Sequence, residues 1–592
     1  MAIVNGEWTI VMSFTSLFFV TIFFPVFTLI YFLMPGIKQK NIWLLTASLV
    51  FYAFGGINYL VLILLLAAFA CITGIMIQSA LDRAKALSPD YEEGDEEFMS
   101  PGAHKSIEKN KRIAKIWFIL GIVTLVVVLA VFKYTRFILK DVLAYKLDGK
   151  LDEEIIRIGL PLGVSFYTFK LISYLSDVYN RKAKAGDYFH VLLYTVIFHQ
   201  VTQGPISRYG ELCSQFDKRK VSYEGISNGI WRFTIGMAKK TLIADHCGEL
   251  CEAFLPLTGN VSYSVFGAYM GSLFYMMQLY LDFSAYSDMA IGLGEIIGME
   301  YRENFNYPYI ATSVRDFWRR WHISLSSFFR DYVYIPLGGS RVGFGRLMLN
   351  LLAVWVLTGL WHGASWNFIL WGLYYFVFIV IENLYMKYTG EKVKNLSLGV
   401  IMRVLGHLYT LVVVFFGWVL FRITDFHKLW EVLNVLLGRS GRVLYTASEV
   451  LTLRGNAYFV IFAVSFCVPL WKNIALAVRE RLHSSQHKEA QEMQNLEDEH
   501  QLHEQEEKDH ELVEKFGSES LGILDEVKKQ DIESHERMVT RLENRIKKRK
   551  NERVIREAIF YGMRTILMLV FLFVSILAMV GASYSPFLYN QF

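Results

Sequence analysis

The residues best suited to chemistry are Arg319, Arg320, His322 and Arg330, which lie with Asp316 and Asp331 in "DFWRRWHISLSSFFRDYVYIPLGG" (316–339), and His362 in "LTGLWHGASWNFILWG" (357–372). Histidine exchanges protons near neutral pH, and arginine offers a planar fork of donors that fits phosphate or carboxylate. Both types sit here among tryptophan, phenylalanine and leucine, where the bilayer penalises charge and an ionisable side chain is a functional hypothesis by default. On a continuous helix, spacings of three and four place Arg319, His322, Ser326 and Arg330 near one face and Trp318, Trp321, Leu325 and Phe328 on another. Pro336 and the pair Gly338–Gly339 then end the helix in a tight turn. His362 has no charged neighbour along the chain, and periodicity alone favours a core histidine bonded to a carbonyl over a proton carrier.

The elements that must position these residues are membrane helices. The 592 residues are 54% hydrophobic and only 19% charged, with a mean hydropathy of +0.32, too little charge to cover a soluble protein of this size. Apolar runs long enough to cross a bilayer occur near 8–34, 42–80 (two helices), 114–139, 263–281, 345–361, 364–386, 401–421, 455–475 and 559–583. Shorter runs at 159–180, 188–205, 229–244 and 316–339 read as interrupted or re-entrant helices, tolerated at membrane depth only inside protein or along a wet cavity. The expected fold is therefore all-α and polytopic, with about ten or more transmembrane helices plus interrupted ones. The first run is too long for a cleavable signal and reads as an anchor.

Residues 81–113 mix charges with Pro and Gly and read as a loop, whereas 478–558 form a charged, helix-favouring insertion. Three parts result: a membrane core over 1–477, the insertion over 478–558, and a final span with tail over 559–592. Leu524, Val527, Ile532, Met538, Leu542 and Ile546 give the insertion an apolar stripe, in a helix or a hairpin broken at Gly517–Ser518, for a second copy or a protein partner. "RIKKRKNERVIR" places it on the cytosolic side. Five scattered cysteines make no disulfide framework, and His246, Cys247 and Cys251 lack the second ligand pair that a zinc site needs, so no metal is expected.

Six ordered stretches resemble the membrane-bound O-acyltransferase family. They are "LPLGVSFYTFKLISYLSDVY" (160–179), "FHQVTQGPISRY" (198–209), "GIWRFTIGMAKKTLIAD" (229–245), "YLDFSAYSDMAIGLG" (280–294) and the two stretches quoted at the outset. The likeness is closest to the bacterial branch that O-acetylates alginate and peptidoglycan and D-alanylates teichoic acid. It covers the chain apart from the 478–558 insertion. It implies a tunnel across the membrane with His362 as catalytic base and His322 as the second histidine. For Arg319, Arg320, Arg330 and Arg341 it implies contact with a donor's phosphates at the cytosolic mouth, beside the alternative that they pair with Asp316 and Asp331. Trp321 and Trp361 flank the two histidines and join the donor-binding candidates.

On that resemblance the expected function is O-acetyl transfer in a bacterial cell membrane, from a cytosolic acyl thioester, acetyl-CoA, to an exported polysaccharide or cell-wall glycan. The donor is a substrate, and no permanently bound cofactor is expected. No G-x-S-x-G elbow or serine-hydrolase domain is visible, so an extracytoplasmic transferase is the implied partner, with membrane lipids around the chain and no nucleic acid. Two alternatives stand beside it: D-alanyl transfer from a carrier protein, and a lipid or sugar transporter, since interrupted helices serve both classes. Tyr280, Asp282, Ser284, Tyr286 and Asp288 alternate with apolar residues and either line the tunnel or tie interrupted helices together.

Overall fold

The computed structural model describes residues 2–4, 7–9, 12–87, 101–143, 159–258, 262–389, 396–478, 480–481, 491, 494–495, 498, 522–581 and 587. Among them two short strands, Ala2–Val4 and Glu7–Thr9, pair antiparallel, and every other regular element is helical. In chain order the α-helices are α1 (Phe24–Leu33), α2 (Ile37–Ala53), α3 (Ile57–Ala86), α4 (Pro101–Phe137), α5 (Val164–Tyr179), α6 (Tyr188–Val196) and α7 (Tyr209–Lys218). There follow α8 (Tyr223–Ala238), α9 (Asp245–Phe254), α10 (Val265–Ile296), α11 (Val314–Arg320), α12 (Ile323–Phe329), α13 (Phe344–His362) and α14 (Trp366–Thr389). The last are α15 (Leu396–Arg422), α16 (Phe426–Leu436), α17 (Ala447–Gly455), α18 (Ala457–Cys467) and α19 (Gly522–Gly581).

The described chain divides into two compact units, Met1–Val468 with Phe571–Phe592, and Pro469–Val570. Six helices among the described residues are long and apolar enough to cross a bilayer: Ile57–Ala86, Pro101–Val142, Phe344–His362, Trp366–Tyr388, Gly399–Arg422 and Lys547–Val580. The pair α17 and α18, bent by 64°, makes a seventh if counted as one. The other apolar runs fold into shorter or more polar helices, among them the 32-residue α10 and the interrupted elements expected beside the spans. The run at 42–80 is two helices as expected, broken at Gly56, whose φ of 125° suits glycine. The expected loop at 81–113 is helical to Ala86 and again from Pro101; 88–100 lie outside the described residues, as do 482–490 and 499–521 of the insertion, including Gly517–Ser518, while from Gly522 the insertion is helical.

Interrupted backbone lies deep in the larger unit. From Ile197 to Ser207 the chain is non-helical and almost wholly buried. Side chains meet its polar groups: Ser48 Oγ accepts from Phe198 N at 3.1 Å, and Tyr194 OH donates to Ser207 O at 2.9 Å. Buried irregular backbone of this sort survives only when so satisfied. The alternating polar residues of α10 have the tying role. Asp282 pairs with Lys240 at 2.7 Å, both within 2% of full burial, and Asp288 bonds Arg232 and Lys239. Tyr286 OH and Thr202 Oγ1 lie 2.6 Å apart, and Asn304 Nδ2 donates to Ser287 Oγ at 3.0 Å. Thus α10 is stitched to α8, to the π-helical turn after α8 (Lys239–Ala244), and to the irregular segment.

Candidate active site

The stretch 316–339 is not one helix. Helix α11 starts at the cap Ser313, whose side chain accepts from Asp316 N at 3.0 Å, while Glu382 on α14 takes the first-turn donors Val314 N at 2.6 Å and Arg315 N at 3.1 Å. It ends at Arg320. Trp321 is extended and His322 is left-handed, with φ 43° and ψ 55°, before α12 begins at Ile323. The expected single polar face is therefore broken at His322. A non-glycine residue at positive φ needs support from its surroundings, and Asn304 provides it: Ile323 N donates to Asn304 O at 2.9 Å, and Ser324 Oγ to Asn304 Oδ1 at 2.8 Å. Farther on, Gly338 and Gly339, at φ 105° and 57°, make the expected turn.

The break turns His322 inward, to 1% exposure. Its Nδ1 lies 3.0 Å from Asn304 Oδ1, an acceptor, so the ring takes the Nδ1–H tautomer and Nε2 carries the lone pair. Asn304 itself is oriented by its bond to Ser287. Sequence reasoning passed over Asn304, which lies in a loop 18 residues upstream of His322 and shares no periodicity with it.

His362 is the last residue of α13 and is 3% exposed. Its ring packs against Trp361, Trp371 and Phe421, with centroids 4.7, 4.8 and 5.0 Å away. Close packing of α13 on α14 fixes the turn: a Cβ at Gly359 would stand 2.4 Å from the Phe368 carbonyl, and one at Gly363 would stand 2.3 Å from the Phe368 ring. The expectation of no nearby charge fails in space. Lys133, near the C-terminal end of α4, donates through Nζ to the Trp361 carbonyl, and the adjacent Tyr134 OH donates to the Leu360 carbonyl at 2.5 Å. The signal for Lys133 was present in the sequence, as a cation following an uninterrupted apolar stretch, 116–132, within the run 114–139.

Trp361 brings the two histidines together. Its ring lies 5.6 Å from His322 and 4.7 Å from His362, and it is 6% exposed. Phe166 and Phe169 of α5 pack on the same indole at 5.7 and 6.1 Å, and Phe283 of α10 packs on His322 at 4.7 Å. Four of the six stretches thus converge on one buried cluster. Trp321 belongs to the adjoining aromatic wall, 4.7 Å from Trp418 and 1% exposed.

The arginines divide differently. Arg320 bonds both oxygens of Asp316 at 3.0 Å and also reaches the Asn306 carbonyl, and Arg330 bonds Asp331 at 2.7 Å. Arg208, from the stretch 198–209, pairs with the same Asp331. Burial pushes the Asp331 carboxyl up, but Arg330 and Arg208 outweigh it and hold the group below the usual carboxylate range. Arg319 is exposed, with no hydrogen bond or ion pair among the described residues, and Arg341 is exposed as well. The arginines therefore lie outside the histidine cluster. In the weak zinc candidate, His246 faces Glu249 and Asn456 at 2.8 and 2.9 Å, while Cys247 and Cys251 are buried.

The geometry gives a buried pair of histidines in a polytopic helical protein, and similarity supplies the family. Residues 98–419, more than half of the chain, match the membrane-bound O-acyltransferase family. The chain is 36% identical over 429 residues to a probable alginate O-acetylase of Azotobacter vinelandii, covering 71% of this chain and 77% of that one. It is 31% identical over 504 residues to the peptidoglycan O-acetyltransferase of Helicobacter pylori, covering 79% and 88%. A teichoic acid D-alanyltransferase of Bacillus subtilis is 30% identical over 285 residues, 45% of this chain and 69% of that one. The protein belongs to the membrane-bound O-acyltransferase family and is an acyltransferase.

Proposed function

We propose that this protein is an O-acetyltransferase of a bacterial plasma membrane, taking acetyl groups from acetyl-CoA on the cytosolic side and passing them toward an exported polysaccharide or cell-wall glycan. The observation that carries this reading is the pair His322 and His362, buried and sharing Trp361. The acetyl group follows the relatives named for O-acetylation, which cover more of the chain than the D-alanyltransferase does.

In this mechanism a nitrogen of His362 takes the proton from an acceptor hydroxyl. The oxygen attacks the thioester carbonyl carbon, the C–S bond breaks, and the departing thiolate receives the proton from the imidazolium, leaving an ester and free CoA thiol. His322, fixed through Nδ1–H, presents Nε2 as an acceptor to orient a hydroxyl. Exposed Arg319 and Arg341 meet the donor's phosphates through charge-assisted bonds, and Arg320 and Arg330 reach them by exchanging their aspartates for phosphate. Trp321 and Trp361 wall the path of the acyl arm. The acceptor polymer is met through an extracytoplasmic transferase, and the 478–558 insertion serves a second copy or a protein partner.

The test is turnover of radiolabelled acetyl-CoA by the full chain in nanodiscs, with a soluble glycan acceptor and the partner transferase. Native turnover that His362→Ala abolishes supports the reading. No release of CoA thiol, together with transfer from an aminoacylated carrier protein, would replace it with D-alanylation.

A further inference from the structure

We infer that Lys133 and Tyr134, neighbours on the membrane span α4, are positioning residues that hold the catalytic turn at the end of α13. The inference rests on the reading of His362 as base. The last four carbonyls of a helix have no partner within it, and hydrocarbon offers no water in their place. In α13 those carbonyls belong to the turn that ends in His362, and two of them are taken from outside: Trp361 O by Lys133 Nζ and Leu360 O by Tyr134 OH. One turn farther along α4, Phe137 packs edge-on against Trp366, the first residue of α14, at 5.4 Å. Helix α4 therefore braces the chain on both sides of the short link 363–365.

A lysine in a membrane span carries an insertion cost, which reaches about 2.5–3.5 kcal/mol at a helix centre. Among the described residues no carboxylate pairs with Lys133, and its bond goes to the carbonyl beside His362. A cation at a helix C-terminus also faces the negative end of the dipole. A partly buried lysine whose hydrogen bond goes to this turn is explained by what the turn carries. A base must hold its nitrogen to a fraction of an ångström, and a shift of about 1 Å removes on the order of 100-fold in rate.

The experiment compares native protein with Lys133→Met, Lys133→Arg, Tyr134→Phe and His362→Ala in nanodiscs, by two readouts. The first is acetyl-CoA turnover. Lys133→Met lowers kcat by about 10- to 100-fold with KM within about twofold, Lys133→Arg recovers most of the loss, and Tyr134→Phe loses several-fold. The second needs no turnover: peptide-resolved modification by diethyl pyrocarbonate quickens at His362 in Lys133→Met by at least about threefold, as local opening of the turn requires. His190, on α6, keeps its native rate. Equal kcat and equal His362 modification in Lys133→Met and Tyr134→Phe overturn the inference, as does a rise at His190 matching that at His362, which reports general loosening. Should Lys133→Met fail to fold, Tyr134→Phe decides by the same readouts. A fully active His362→Ala defeats the assignment of the base instead, and the modification readout still tests the brace.

Discussion

The two histidines share an aromatic setting, and they differ in the contacts that mark each one. His322 is specified by hydrogen bonds: a left-handed backbone, an asparagine that accepts from its ring, and a serine behind that asparagine. His362 is enclosed by three aromatic rings and two close glycine crossings, with a brace on the carbonyl of the residue before it. A ring held by a directional bond has its tautomer chosen before substrate arrives, which suits an orienting group. A ring held by packing keeps its place while its protonation changes, as the proposed base must do in each cycle. On the proposed mechanism, one scaffold serves an orienting and a proton-carrying histidine around one tryptophan.

That contrast can be broken in graded ways. The largest effect is expected for His362→Ala, a loss of about 10²- to 10⁴-fold in kcat, the usual worth of a general base. CoA-thiol release measures it. Next, Asn304→Leu removes the bond that selects the His322 tautomer, lowers activity by about 10- to 100-fold and destabilises the fold by about 1–3 kcal/mol, because Ser324 and His322 lose their acceptor. Thermal unfolding in detergent reads the stability cost. If Asn304→Leu is as active as native protein, His322 does not need its fixed tautomer, and the distinction between the two histidines fails.

The arginine rim should respond more weakly still. Arg319→Ala raises KM for acetyl-CoA by about threefold to tenfold, an effect that salt masks because exposed charges are screened beyond about 8–10 Å at physiological ionic strength. A titration of KM against ionic strength checks it, and a change in kcat instead would place Arg319 with the histidines. Smallest is the pH effect of Asp331. Its folded-state pKa lies below the unfolded value of about 3.9, so its contribution to stability is full above that value and is lost as pH falls through the folded pKa. Acid unfolding of Asp331→Asn should show a shallower loss below about pH 4 than the native chain does.

Much of this was legible along the chain. The ordered stretches identify the family, and the two histidines they carry do meet across Trp361. The alternation from Tyr280 to Asp288 left lining and tying open, and the partners of Asp282 and Asp288 show tying. What failed was continuity: spacings of three and four over 316–334 describe a helix only while every residue is helical, and His322 is not. No sequence period records a bond between Asn304 and His322 or between Lys133 and Trp361, since both depend on segments that meet only in the folded chain. The lysine was conspicuous as a charge in an apolar run, but its partner was not. Nor does hydropathy separate a helix that faces lipid from a short one buried in protein.

The brace from α4 also bears on how the protein is made. Lys133 enters the membrane 228 residues before the Trp361 carbonyl it will bond. During synthesis the lysine waits in the bilayer without that acceptor, and the turn around His362 is completed only when two distant spans dock. A chain truncated before α13 would therefore leave Lys133 without its Trp361 acceptor and the turn around His362 unmade.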